Sequence, residues 1–314
     1  MKVCLISFDY WGYDEKIVAK MNHLGYESIH IKLSDFSYKY KNTFEKITNF
    51  VCKILFNKNI KKIKSEEYII NVLRNKGPFD KIIVINPERI SKNTHLQIRK
   101  FTKDYLAYLY DSLERHNAKY LLNGIFNKIF SFDQKDANQF QLTFLPNYIH
   151  FEPSKNNIDI KYTVFSLSSI DERYKQFEKI IAYFNERDIS HKTLFFDKRK
   201  PKKMFPKTKF INQKLSQEYI YNELNSCKII LDIIRPNQTG VSFRIYDAIA
   251  LEKKVITTNK HVKNYDFYNP NNICVIDIDE IYIPTSFIET NYEKLNHEVY
   301  NKYTLENWIK TILN

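Results

Sequence analysis

Glycine is scarce, 5 in 314 residues, and no two lie close enough to spell G-x-G-x-x-G, so a Rossmann dinucleotide fingerprint is excluded. Cysteine is scarce too: Cys4, Cys52, Cys227 and Cys274 are scattered, with no close pair and no Cys/His grouping at metal spacing. That pattern reads as buried thiols in a reducing compartment, with no metal site expected. Long apolar runs are absent as well. Val3 to Phe8 is cut at Asp9, too short for a signal peptide, and no stretch reaches the ~18 apolar residues that a bilayer crossing needs. The expected location is cytoplasmic, with peripheral attachment to the inner membrane face as the alternative. Acidic residues are outnumbered, 36 against 49 Lys and Arg, for a net charge of +13. An excess of this size suits an anionic partner such as phosphate groups or a membrane surface. A composition rich in Lys, Asn, Ile and Tyr would raise the charge without any partner. Nothing resembles a nucleic-acid-binding motif, so no nucleic-acid partner is expected.

What is present is ample material for packed cores: 43% hydrophobic and 15% aromatic residues. At about 150 residues per domain, the length suits one large or two ordinary domains. Short apolar runs alternate with helical patterns along the chain. Residues 2–8, 27–33, 79–86, 105–110 and 127–132 read as buried strands, and a helix runs through Ile17, Val18, Met21 and Leu24, capped by Asp14 and ended by Gly25. Residues 39–64 put Phe44, Ile47, Phe50, Val51, Ile54 and Leu55 on one helical stripe and lysines on the other. This is the pattern of a basic amphipathic helix, able to lie on anionic lipid, and equally of a surface helix with a solvated lysine face. Pro146 to Asn157 is the best linker, dividing the chain into 1–150 and 151–314. Asp133 and Asp136 read as turn and cap residues. Strand, helix and strand patterns resume at 162–167, 171–185 and the run KTLFFD, followed by the basic loop Lys198–Lys203. The expected class is α/β, with two Rossmann-like domains.

Residues 228–259, KIILDIIRPNQTGVSFRIYDAIALEKKVITTN, carry the clearest organisation. A doubly buried strand ends at Ile234, a polar loop follows with Gly240, a helix runs from Val241 to Leu251, and Val255–Thr258 returns as a strand. The unit is βαβ, and its loop opens at the carboxyl end of a strand, where open α/β sheets bind ligands. Unpaired amides at the helix start suit an anionic or polyhydroxyl ligand. Arg244 and Asp247, three residues apart, share a helix face.

The order Gly240, Ser242, Arg244, Asp247, Ala248, Ala250, then Val255-Ile256-Thr257-Thr258, resembles the donor-binding motif of GT-B glycosyltransferases, commonly G-x-S-x-R-x-x-E-A-x-A-x-G-K-x-V-I-T-T. Three positions depart from it: Asp247 stands for Glu, Thr239 stands where many retaining members carry a second glutamate, and Glu252 replaces a glycine. The pieces YLYDSLERH and KIFSFDQKDANQFQLTFLP resemble the amino-terminal domain of bacterial lipopolysaccharide and capsule glycosyltransferases of this type. The resemblance implies two Rossmann-like domains facing a cleft and a last helix packing back on the first domain. It also implies transfer of a sugar from a nucleotide-sugar donor to a saccharide or lipid-linked saccharide acceptor, without a metal or other cofactor. Donor contacts would come from Arg173 and Arg244 on the diphosphate, Asp247 on the ribose, Thr239, Gly240 and Ser242 around the loop, and Asn212 and Leu215 at the base. Tyr10 and Trp11 would stack on an acceptor sugar. If the enzyme inverts, Asp9 or Asp111, each following a strand of the first domain, would serve as general base. Asp277, Asp279 and Glu280 spell a D-x-D-E cluster, which its position after a late strand argues against as a metal site. The competing expectations are a non-catalytic sugar-nucleotide or saccharide binder and a sugar-nucleotide epimerase on the same fold.

Overall fold

A computed structural model of the protein describes residues 1–9, 11–56, 58–116, 118–153, 158–197 and 208–314, with Glu114 described by its backbone alone. Tyr10, part of the 146–157 linker and the basic loop 198–203 therefore lie outside the described residues or straddle their edge. The chain divides into two compact units. The first comprises Met1–Phe132, Asp136–Leu145 and Ile312–Asn314; the second comprises Asp133–Lys135 and Pro146–Thr311.

In the first unit the strands are β1 (Lys2–Ser7), β2 (Glu27–Lys32), β3 (Phe79–Ile85), β4 (Thr102–Leu109), β5 (Lys128–Ser131) and the short β6 (Thr143–Phe144). They form one sheet in the order β2-β1-β3-β4-β5-β6. Every pairing is parallel, Val3 lying between Ser28 and Lys81. Helices α1 (Asp14–His23), α2 (Thr43–Phe56), α3 (Ile60–Lys76), α4 (Lys92–Ile98), α5 (Leu113–His116) and α6 (Gln134–Phe140) connect them. Parallel strands need crossover connections, which cover the sheet on both faces, and this is why β1 reads as an uninterrupted buried run rather than an alternating one. Gly25 follows α1 at φ +87°, a conformation costly for any residue with a Cβ. Because β2 and β3 flank β1, chain direction reverses there, and the loop after β1 opens at a topological switch point.

The second unit repeats the principle with β7 (Tyr162–Ser169), β8 (His191–Phe196), β9 (Thr208–Ile211), β10 (Cys227–Asp232), β11 (Lys254–Thr257) and β12 (Ile273–Val275). Its sheet is wholly parallel in the order β9-β8-β7-β10-β11-β12, the doubly wound arrangement with its switch point between β7 and β10. Its helices are α7 (Tyr174–Glu186), α8 (Gln217–Asn225), α9 (Phe243–Ala250), α10 (Thr285–Glu289), α11 (His297–Lys302) and α12 (Leu305–Leu313). One core cluster gathers Ile230, Ile245, Tyr246 and Val255; another gathers Ile180, Phe184, Phe195 and Ile229. The single amphipathic pattern at 39–64 is broken into α2 and α3. Asn59 starts the second helix, its side chain accepting from the Lys61 amide.

Candidate active site

Asp232 ends β10 and is buried; its carboxylate accepts from Ser242 Oγ at 2.8 Å and Thr257 Oγ1 at 3.0 Å. Burial raises its pKa, with those hydroxyls working against the rise. Ser242 in turn caps α9, its Oγ accepting from the Arg244 amide at 3.2 Å, so one carboxylate ties β10, β11 and the helix start together. The amides of the loop before α9 are occupied from within the protein. Thr239 N and Gly240 N each donate to Asp133 Oδ2 at 2.8 Å, and Thr239 Oγ1 donates to Asp133 Oδ1 at 2.5 Å. Such amides attract an anion. Asp133, more than 100 residues earlier in the chain, supplies it. Its reading as a turn residue holds, since it accepts from Lys135 N at 3.0 Å, but that is the lesser part of what it does.

Two guanidinium groups stand at the switch point. Arg173, just before α7, donates from Nε and Nη2 to Asp171 Oδ1 and Oδ2 at 2.8 and 2.7 Å, and from Nη1 to the Ile233 carbonyl at 2.8 Å. The loop after β7 is thereby fastened to the end of β10. Arg235 Nη2 lies 3.5 Å from the same Asp171 carboxylate. Burial pushes the Asp171 carboxyl up, but the hydrogen bonds and charge of Arg173, helped by Arg235, hold it below its usual range. Two cations against one carboxylate leave this edge positive.

On α9, Arg244 Nη1 donates to Asp247 Oδ2 at 2.9 Å. The Asp247 side chain is fully enclosed, whereas Arg244 remains 19% exposed. Asp247 Oδ1 also lies 3.4 Å from Nδ1 of His150, another fully enclosed side chain. The ribose contact expected of Asp247 needs an open carboxylate. Here it faces inward and anchors Arg244. Asn212 is exposed and Leu215 half-buried; both follow β9, two strands removed from the switch point.

The first unit assembles a carboxylate pair after β1. Asp9, at φ +36°, accepts from the Asp14 and Glu15 amides at 3.0 and 3.2 Å, and Lys32 Nζ lies 3.5 Å from it. The cap of α1 is therefore Asp9, and Asp14, the cap expected from sequence, is the first residue of the helix. Asp14 is buried, and its Oδ1 accepts from Tyr110 Oη at 2.9 Å. Burial and the Asp9 charge raise its pKa to about 7, against the opposing hydrogen bonds from Ser7 and Tyr110. Asp111 is paired with Arg115 at 2.5 Å and His116 at 3.2 Å. Trp11 is 39% exposed, and Tyr10 lies outside the described residues. Sequence reasoning passed over Asp14, Asp133 and His150 for site roles. A carboxyl shared with a distant tyrosine or loop leaves no local signature.

The late acidic cluster is spent on surface pairs, Asp277 with Lys260 at 3.0 Å and Asp279 with Lys179 at 2.6 Å. Among the described residues no His/Cys/Asp/Glu group is arranged to hold a metal ion, and no helix is long and apolar enough to cross a membrane.

No family model and no curated protein matches the chain. Solved structures do. The apo structure of OtsA matches at TM-score 0.57 and 9% identity, over 100% of this chain and 98% of that one. Alr3699/HepE from Anabaena, in complex with UDP and glucose, matches at 0.54 and 10%, over 100% and 98%. UDP-GlcNAc 2-epimerase from Methanocaldococcus jannaschii matches at 0.51 and 13%, over 100% and 99%. At such identities the likeness is one of fold. The structural neighbours are GT-B glycosyltransferases and UDP-GlcNAc 2-epimerases, and this chain has their α/β fold of two Rossmann-like domains.

Proposed function

We propose that this protein is a glycosyltransferase that moves a sugar from a nucleotide-sugar donor to a saccharide or lipid-linked saccharide acceptor in the synthesis of a surface polysaccharide, lipopolysaccharide or capsule. The observation that carries the donor half is the pair Arg173 and Arg235, held by Asp171 and the Ile233 carbonyl at the switch point between β7 and β10. When the bond from the sugar's anomeric carbon to the diphosphate breaks, charge grows on the departing phosphate oxygens. Guanidinium groups already fixed in orientation stabilise it without reorganising. Arg244 adds a third cation, and Asp247 acts as its positioning residue. The acceptor class follows from the sequence resemblance.

The acceptor hydroxyl must lose a proton as its oxygen bonds the anomeric carbon. Asp14 suits that task better than Asp9 or Asp111. Both Asp9 oxygens already accept backbone amides, and Asp111 is bound to Arg115, whereas a carboxyl titrating near 7 combines an available base form with useful basicity. The test is calorimetric titration with a panel of nucleotide sugars, followed by mass-spectrometric detection of product on saccharide acceptors. Binding should be seen for at least one donor and weaken about tenfold or more in Arg173→Lys, which keeps the charge but loses the two-pronged grip on Asp171. Absence of binding to every donor would end the proposal. The likeness to an epimerase motivates a second reading, in which the bound sugar is inverted at one carbon with no acceptor; proton NMR of the donor after incubation alone distinguishes the two.

A further inference from the structure

Helix α2 is turned inside out. At 3.6 residues per turn, Glu45, Asn49 and Cys52 lie along one side, while Phe44, Ile47, Phe50, Val51, Ile54 and Leu55 occupy about 140° of the other. The polar side faces the protein. Glu45 accepts from Tyr38 Oη at 2.7 Å and Lys41 N at 2.6 Å, and Asn49 donates to Tyr40 Oη at 2.8 Å and accepts from Ile60 N at 2.7 Å. Asn49 is the helix's one buried residue, 5% exposed, so these bonds fix its rotation. The apolar side faces solvent: Phe44 is 78% exposed, Phe50 64%, Ile54 66% and Leu55 67%. Every other helix with a marked apolar side that is detailed in this fold turns part of it inward; α7, for instance, buries Phe177, Ile180, Ile181 and Phe184. A contiguous exposed patch of this kind marks a docking surface.

The rim of the patch indicates what docks there. Residues 39–64 hold eight lysines and one glutamate, and that glutamate, Glu45, is engaged inward. Lys46, Lys53, Lys58, Lys61 and Lys62 are all exposed. Packing this face on a second copy would set like charges against one another, whereas lipid phosphates would complement them.

We infer that α2, with the lysines that flank it and continue to Lys62, is a membrane-surface anchor. It lies in the plane of an anionic bilayer, with Phe44, Ile47, Phe50, Ile54 and Leu55 at the headgroup–acyl boundary and the lysines against lipid phosphate. This inference stands apart from the transferase reading, because it uses no residue of the donor or acceptor sites.

The test is flotation of the full chain with vesicles of phosphatidylglycerol and phosphatidylcholine, and with phosphatidylcholine alone. The protein should float with the anionic vesicles, and the variant F50S/I54S/L55S should partition at least about tenfold more weakly with an unchanged melting temperature. A second variant, K46Q/K53Q/K62Q, leaves the apolar side intact and should lose the preference for phosphatidylglycerol. Wild-type protein that stays with the aqueous fraction would overturn the inference. So would partitioning that is abolished by salt yet indifferent to the serine substitutions, which would indicate general attraction of a basic chain. Concentration-dependent self-association removed by the serine variant, without vesicle binding, would instead assign the face to a second copy.

Discussion

Asp14→Asn removes a carboxyl group that the fold keeps protonated into the neutral range, and its effect can be worked out in sign and size. In the folded protein the carboxyl titrates near 7 against an ordinary 3.8, chiefly through burial and secondly through the Asp9 charge. Between those two values the folded state holds a proton that the unfolded state has released. Stability therefore falls as pH rises across that window and levels off above about 7. Three pH units at about 1.4 kcal/mol each amount to about 4 kcal/mol, of which about 3 kcal/mol lies between pH 5 and pH 8. Asparagine keeps an oxygen for Tyr110 Oη but carries no titrating proton, so the variant lacks this slope. Urea unfolding of both proteins at the two pH values measures the difference directly, because all other titrating groups cancel to first order. The stability of the variant relative to wild type should rise by about 3 kcal/mol from pH 5 to pH 8. A gap that does not change with pH would refute the raised pKa and remove the reason for choosing Asp14 as base. If the gap behaves as expected, kcat/KM of the wild type should climb through about pH 7, and turnover of Asp14→Asn should fall about 100-fold or more with donor affinity kept.

Asp133→Ala leaves the Thr239 and Gly240 amides and the Thr239 hydroxyl without their carboxylate, and should cost about 1–3 kcal/mol in thermal denaturation; an unchanged melting temperature would mean that other groups satisfy them. Asp247→Ala strands Arg244 beside a buried histidine and should destabilise by about 3 kcal/mol, with donor affinity reduced as Arg244 loses its anchor; retained affinity would show that Arg244 takes no part in binding.

The strands of both units were legible because a parallel strand covered on both faces is a short apolar run, and Lys2–Ser7, Phe79–Ile85 and Cys227–Asp232 all have that form. The cap of α8 was legible for the same kind of reason: Ser216 accepts from the Tyr219 amide, three residues on. The two-residue β6 was missed, having too few residues to show any period.

The sequence by itself determined which segments become strands and helices, that the class is α/β, and that residues 228–259 form a βαβ unit with a polar loop at the strand's carboxyl end, because propensity, period and turn chemistry act over a few residues. The tertiary structure alone decided what the polar groups are for. Asp133 fills the amide cradle before α9 from 106 residues away, and Tyr110 bonds Asp14 across 96. Asp247 is enclosed rather than open, and α2 is rotated so that its apolar side faces outward. Each of these depends on which distant group closes a hydrogen bond or excludes water. Burial and charge arising from such neighbours, rather than residue type, set whether a carboxylate caps, anchors or titrates near neutrality.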